Sequence, residues 1–99
     1  MSYQIYGFLL LDDSLTAYAR QHGLDENEQA MVADHITRAV GLWPRARPML
    51  AKHKGRYYGC IAVGSNGPKD HMPVLPRHEI QKLMDYMKTT VEPSWWWHY

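Results

Sequence analysis

The sequence is short of cysteine and of long apolar runs. Its one cysteine, Cys60, excludes an intramolecular disulfide, whereas secreted domains of this size usually depend on several. The apolar run that starts at Tyr6 soon meets Asp12 and Asp13, so it is too short for a membrane span or a secretory signal. We therefore expect a cytoplasmic protein that has no membrane partner.

Acidic residues are missing from one third of the chain. Residues 38–69 contain seven lysines and arginines and no aspartate or glutamate, whereas residues 1–37 contain six acidic residues and one basic residue. The formal net charge of +1 therefore hides two segments of opposite sign. Such a separation indicates either pairing between the two segments or binding to an acidic partner.

Hydrophobic spacing predicts three main helices. Their buried stripes would include Leu15, Val32 and Leu83. Residues 3–11 fit a strand or a short apolar packing segment, and residues 56–63 fit a strand whose Gly59 weakens it. The predicted helices run from Ser14 to Gly23, from Asp25 to Pro44 and from Ile80 to Pro93, with Val91 on the buried stripe of the last, and Pro48 and Gly55 could bound a short helical turn.

The predicted fold class is α+β or mainly α. We expect a small single domain over residues 1–99, with about three helices and at most a small sheet. A loop is predicted at residues 64–76, because glycine, serine, asparagine and proline are concentrated there. Residues 93–99 are predicted to form an aromatic C-terminal tail.

The basic segment is the first candidate binding site. Cations with aromatic neighbours suit an acidic protein surface or a phosphate backbone. A third interpretation is a solvated face that balances the acidic helices of the same fold. The near-neutral total charge disfavours direct binding to nucleic acid, so DNA would be contacted only indirectly. The candidate partner-binding residues here are Trp43, Arg45, Arg47, Lys52, Lys54 and Arg56.

The C-terminal aromatic run is the second candidate site. Trp95, Trp96 and Trp97 are consecutive, and neighbouring side chains point in different directions in any regular element. At least one of the three indoles should therefore be exposed or covered by another molecule. The run is either a lid folded over a small core or an aromatic anchor for a partner, because tryptophan is enriched in interface hot spots.

The sequence predicts no cofactor, no metal site and no catalytic residues. Six histidines are present, but neither an HxxxH nor a CxxC spacing occurs among them and Cys60. His35 is expected to be a hydrogen-bonded core residue. Cys60 is expected to be a small buried apolar residue rather than a nucleophile.

The stretch PRARPMLAKHKGR, the loop GSNGPKD around Gly67 and Pro68, and the chain length together resemble an anti-RecBCD protein of lambdoid phages. The resemblance covers the whole chain. It implies a non-enzymatic protein that acts in the host bacterial cytosol. Such a protein would bind the RecC subunit of the host nuclease-helicase RecBCD and change its activity to favour phage recombination. The alternative function is a small nucleic-acid-binding module that uses residues 38–69.

Gly67 and Pro68 form a third candidate site. An X-Pro bond prefers the trans form by only about 0.5–1 kcal/mol, and uncatalysed exchange between the two forms takes tens of seconds. In a loop of small polar residues this bond is expected to be accessible to a host prolyl isomerase, which is the second candidate partner. A plain turn proline held in the trans form is the alternative interpretation.

Overall fold

The computed structural model describes residues 3–10, 13–69 and 71–98, with the side chains of residues 13 and 14 excepted. These residues form three helices and four strands. The helices are α1 (Asp13–Gln21), α2 (Gln29–Ala39) and α3 (Arg77–Met87). The strands are β1 (Tyr3–Leu9), β2 (Arg47–His53), β3 (Arg56–Ser65) and β4 (Ser94–His98).

The four strands form a closed antiparallel barrel in the order β1-β3-β2-β4. The barrel closes where β2 meets β4, and the pair in register at that seam is Lys52 with Trp97. The side chain of His98 supports this seam through a hydrogen bond between its Nδ1 and the backbone oxygen of Leu50. The α+β class is thus confirmed, but the sheet is larger than the small sheet that was predicted.

The core has two parts because the sheet buries both of its faces. Inside the barrel, Ile5, Ala51 and Cys60 pack together, with Trp96 half-buried against them. On the outer face, Phe8 and Ile61 pack under the three helices. The helices contribute the stripes predicted from their 3.6-residue spacing, which include Leu15, Val32, Ile36, Ile80, Leu83, Met84 and Met87.

Left-handed residues end the helices earlier than the prolines that were expected to do so. Gly23, at φ 69°, follows α1 as predicted. Gly41, at φ 74°, follows α2 three residues before Pro44, and its amide donates to the carbonyl of Arg38. Lys88, at φ 57°, ends α3 well before Pro93. Such residues turn the chain and satisfy the last carbonyls of a helix.

Two expected helical positions and the expected tail therefore differ in the structure. Val91 lies beyond α3 and is 67% exposed instead of belonging to its buried stripe. Pro48 lies in β2, because residues 47–53 pair along their whole length with β3 and so cannot form a helical turn. Residues 94–98 form β4 instead of a tail, because their backbone pairs with Tyr3–Gly7 of β1.

The predicted loop at 64–76 starts slightly later than expected. Gly64 and Ser65 still belong to β3, and Ser65 also forms an isolated bridge with Met72. Between them the chain has no helix or strand among the described residues. The prediction of a loop is thus correct for its middle, whereas Asp70 lies outside the described residues.

Gly7 marks the closest approach of two strands. The pairing of β1 with β3 shifts register between Tyr6 and Gly7, as at a β-bulge. A Cβ atom added to Gly7 would overlap the carbonyl oxygen of Ile61 and lie 2.9 Å from the Cα atom of Ala62. Backbone atoms cannot move aside as a flexible side chain can, so this position requires glycine.

We expect Gly7→Ala to lower the free energy of unfolding by about 3 kcal/mol or more, because the new methyl group overlaps backbone. Gly41→Ala is the matched control, since nothing lies within 4 Å of its added Cβ. Its positive φ alone should cost about 1 kcal/mol. Urea unfolding of both variants measures the difference, and equal losses would contradict the close approach at Gly7.

Candidate functional site

One row of side chains on the outer face of the barrel crosses three strands. Lys52 is in register with Tyr57 on one side and with Trp97 on the other. Residues directly opposite each other on neighbouring strands point to the same face. Neighbouring strands lie about 4.8 Å apart, so the backbones of Tyr57 and Trp97 are about 10 Å apart with Lys52 between them. The Nζ atom of Lys52 lies 6.0 Å from the centre of the Tyr57 ring.

Two further side chains lie on the same face, on opposite sides of this row because β2 and β4 are antiparallel. Leu50 and Trp95 lie two residues from Lys52 and Trp97 along their strands, and alternate residues of a strand share a face. We call this surface the aromatic–cationic face. Its four large apolar members are between 44% and 54% exposed. The face consists of Leu50, Lys52, Tyr57, Trp95 and Trp97.

More positive charge lies at the tip of the β2–β3 hairpin, beside this face. Lys54 and Gly55 connect the strands, both with positive φ, as a type I′ turn requires. Lys54 and Arg56 are exposed, and neither takes part in the four ion pairs found among the described residues. The hairpin therefore presents two uncompensated cations next to Tyr57.

The three consecutive tryptophans are divided between the inside and the outside of the barrel. Trp96 packs against the barrel interior, and its Nε1–H donates to the backbone oxygen of Gly7 at 3.0 Å. Trp95 and Trp97 point the other way, and the ring of Trp95 lies 5.1 Å from that of Tyr6. Trp96 thus covers a core, as one interpretation predicted, whereas the partner anchor stays a prediction for the two exposed indoles.

The remaining cations predicted for the site do not join the aromatic–cationic face. Arg45 is paired at 2.7 Å with Glu79 of α3. The guanidinium of Arg38 lies 4.4 Å from the ring centre of Trp43, at the end of α2. Arg47 is in register with the inward-facing Ala62, so it points away from the face of Lys52.

The predicted set therefore divides into several places on the molecule. Lys52, Lys54 and Arg56 are brought together with Trp95 and Trp97, whereas Trp43, Arg45 and Arg47 lie elsewhere. Leu50 and Tyr57 were not in the predicted set, although they are two of the most exposed apolar side chains. The alternation of small inward residues (Ala51, Cys60) with outward ones could have predicted that Leu50 and Tyr57 are exposed. Using it required knowing that residues 47–53 form a strand.

The Gly67–Pro68 site is not part of the aromatic–cationic face but follows Asn66, which is hydrogen-bonded to Gln4 of β1. Pro68 is exposed, whereas Gly67 is buried with its Cα against the ring of Tyr3. The Gly67 amide donates to Oγ of Ser65. Among the described residues the cis peptide bond is Trp43–Pro44, so the Gly67–Pro68 bond is trans.

A polar cluster joins the three helices. The Tyr18 hydroxyl of α1 lies 2.7 Å from Nδ1 of His35 in α2 and 2.8 Å from the hydroxyl of Tyr86 in α3. The ring of His22 packs against Tyr18, with the ring centres 4.2 Å apart. Burial and the Tyr86 contact raise the pKa of Tyr18. His35 is thus hydrogen-bonded as predicted, but it is half-buried instead of lying in the core.

Cys60 is buried in the barrel interior, as predicted. Burial raises the pKa of its thiol to about 12, because a thiolate would lose its hydration there. No group of three or more histidine, cysteine or acidic side chains in the described part of the chain is placed to hold a metal ion. No helix among the described residues is long and apolar enough to span a membrane.

We expect Trp96→Ala to lower the free energy of unfolding by about 3 kcal/mol, the lower end of the usual cost for a large aromatic side chain, because the ring is half-buried against the barrel interior. Trp95→Ala and Trp97→Ala should each cost about 1 kcal/mol or less, because about half of each residue is already exposed. Chemical unfolding of the three variants checks this order. Similar losses for all three would show that the indoles are not divided between inside and outside.

Comparisons with known proteins complete the description of the site. No known protein family matches this sequence. Neither curated proteins nor solved structures gave a significant match. The resemblance to phage anti-RecBCD proteins therefore stays a prediction, and function has to be inferred from the contacts and exposure of the chain's own residues.

Proposed function

We propose that this chain is a non-enzymatic binding protein that docks on an acidic protein surface through its aromatic–cationic face. The observation that carries the proposal is the row of Tyr57, Lys52 and Trp97 across three strands. Following the resemblance of the sequence, the proposed partner is the RecC subunit of RecBCD. Binding would change the activity of that nuclease-helicase in favour of phage recombination.

The composition of the face supports a protein partner. Tyrosine, tryptophan and arginine are enriched in protein–protein interfaces, and tryptophan and tyrosine are the commonest hot-spot residues together with arginine. Here Trp95, Trp97, Tyr57 and Leu50 are all exposed on the outer face of the barrel. Their backbones belong to paired strands, so docking would require little ordering of the chain.

The charge around the face supports an acidic partner. Lys52, Lys54 and Arg56 lie together on the β2–β3 hairpin, and residues 38–69 contain no acidic residue. Cations at the rim of an interface speed association with an acidic surface and select against basic ones. The partner should therefore offer carboxylates around an apolar patch that receives Trp97 and Tyr57.

A second candidate function is binding of single-stranded nucleic acid. Tyr57 and Trp97 flank Lys52, and nucleic-acid bases stack on exposed aromatic rings while cations contact the phosphates. The net charge of +1 lacks the strong positive excess typical of such proteins. A protein partner is therefore the first choice, and the binding experiments below distinguish it from nucleic acid.

We expect the double variant Lys54→Glu/Arg56→Glu to slow association with purified RecBCD by about tenfold at low salt, with a smaller effect at high salt. Lys82→Glu/Lys88→Glu is the matched control, because it makes the same change in net charge at exposed residues of α3 and its end. Biolayer interferometry at about 50 and about 200 mM salt measures the rates. Equal rates for the two variants would reject the hairpin as part of the interface.

We expect Trp97→Ala and Tyr57→Ala each to weaken binding by about tenfold or more, as hot-spot residues do. Trp43→Ala is the control, because that exposed tryptophan lies under Arg38 and away from the face. Circular dichroism verifies that the variants fold. If all three variants bind RecBCD like the unmodified protein, the face is not the docking surface. Tight, steeply salt-dependent binding to a plain oligonucleotide would instead favour the second function.

The Gly67–Pro68 loop is proposed as the contact for a host prolyl isomerase. Pro68 is exposed, while Gly67 is held against Tyr3, so the proline ring is presented from an anchored residue. We expect Pro68→Ala to abolish binding of a purified bacterial cyclophilin without changing the melting temperature. Pro73→Ala, at another exposed proline of the same connection, is the control. Binding is measured by adding cyclophilin and recording the amide NMR shifts of residues 66–69. Equal shifts in the Pro68→Ala and Pro73→Ala variants would contradict this proposal.

A further inference from the structure

A cavity of about 400 Å³ lies on the side of β1 where β4 stops. Strand β4 pairs with β1 only from Tyr3 to Gly7, whereas β1 continues to Leu9. After α3 the chain has no regular structure between Lys88 and Pro93, and it then enters β4 at Ser94. The space between β1, the end of α3 and this connection is the cavity.

The described walls of the cavity are mainly apolar and come from both parts of the core. Phe8, Leu15 and Met87 belong to the cluster under the helices, whereas Leu9 and Trp96 pack against the barrel interior. The cavity therefore lies where the two clusters meet. Its apolar lining residues are Phe8, Leu9, Leu15, Met87, Val91 and Trp96.

The polar residues in the described lining of the cavity are few, and none of them carries a positive charge. Thr89, Glu92 and Ser94 are its polar lining residues. The carboxylate of Glu92 is occupied by Arg77, whose Nη2 donates to its Oε2 at 3.0 Å. An anionic ligand would thus find no cation in the lining, and a cationic one would have to displace Arg77 from Glu92.

We infer that this cavity is a binding site for one neutral, mainly apolar small molecule with an aromatic or alkyl body. Its volume lies within the range of about 300–1,000 Å³ that is usual for ligand sites, and its lining has the usual excess of apolar side chains over a few polar ones. The hydroxyls of Thr89 and Ser94 would accept or donate one hydrogen bond. The inference is independent of the proposed function, because none of these residues belongs to the aromatic–cationic face.

The connection over the cavity provides the entrance. Val91 lines the cavity and is two-thirds exposed, so an apolar side chain stands at the boundary with solvent. The connection is fastened to α3 by the Arg77–Glu92 ion pair, between two exposed side chains, and its own turn is held by the Val91 amide, which donates to Oγ1 of Thr89. Both contacts are individually weak, so the connection can move aside to admit a ligand.

The probe for this site is N-phenyl-1-naphthylamine, an uncharged fluorescent molecule in which a phenyl and a naphthyl group are joined by an amine. Its anionic relative 1-anilinonaphthalene-8-sulfonate is the matched control ligand, because it has the same rings with one added sulfonate. We expect saturable binding of the neutral probe with one site per chain. The sulfonate should bind about tenfold more weakly or not at all, because the described lining offers no cation to its charge.

Three variants locate the site. Thr89→Phe fills the cavity and should weaken binding of the neutral probe by about tenfold or more. Thr90→Phe makes the same change at the next residue, which is exposed and does not line the cavity, so binding should be unchanged. Thr89→Ala removes the hydroxyl bond to Val91 without filling space and should keep the probe bound.

Methyl NMR gives the second readout, which does not depend on probe fluorescence. The probe should shift the methyl signals of Leu15, Met87 and Val91 and leave Leu50 unchanged. If Thr89→Phe does not fold by circular dichroism, these shifts in the unmodified protein decide the matter. The inference is overturned by absence of saturable binding, by shifts confined to Leu50, or by equal affinity of Thr89→Phe and Thr90→Phe.

Discussion

The insertion of Trp96 into the barrel is the contact on which the rest of the structure depends. Its ring completes a small interior of short side chains such as Ala51 and Cys60. Its indole N–H satisfies the carbonyl of Gly7, at the place where β1 approaches β3 most closely. A buried carbonyl without a partner would cost about 1–3 kcal/mol. One side chain thus fills the barrel, satisfies its backbone and holds β4 in register.

The exposure of the other two tryptophans follows from this insertion. In a strand, residues on either side of an inward side chain must point outward, so Trp95 and Trp97 cannot be buried while Trp96 is. The same alternation places Leu50 and Lys52 outside because Ala51 is inside. The inward side chains of the core therefore decide which residues form the aromatic–cationic face. The face is rigid because its residues belong to paired strands.

The helices cover a different part of the sheet. Gln29 at the start of α2 donates to the carbonyl of Leu10 and accepts from the amide of Gly59, which fastens the helix over β1 and β3. Gly59 permits this contact, since an added Cβ would lie 2.5 Å from the Cβ of Gln29. The Tyr18 cluster then joins α2 to its two neighbours. The helices thus leave the β2–β3 hairpin tip exposed, and the cavity at the end of α3 marks where the two clusters do not fill the space between them.

The sequence by itself determined the helices, the separation of charge and the impossibility of burying three neighbouring indoles. These follow from local periodicity, from helix-ending residues such as Gly23 and from the geometry of adjacent side chains. Only the tertiary structure decided that residues 94–98 are a strand, because their pairing partners in β1 lie at the other end of the described chain. Residues 47–53 pair with the nearby β3 across a tight turn, but both faces of that hairpin acquire their inward and outward sense only when the barrel closes. The tertiary structure also decided which cations remain available. Arg45 is neutralised by Glu79, 34 residues away, whereas Lys54 and Arg56 are held at a hairpin tip with no described acidic partner, and no local pattern distinguishes these cases.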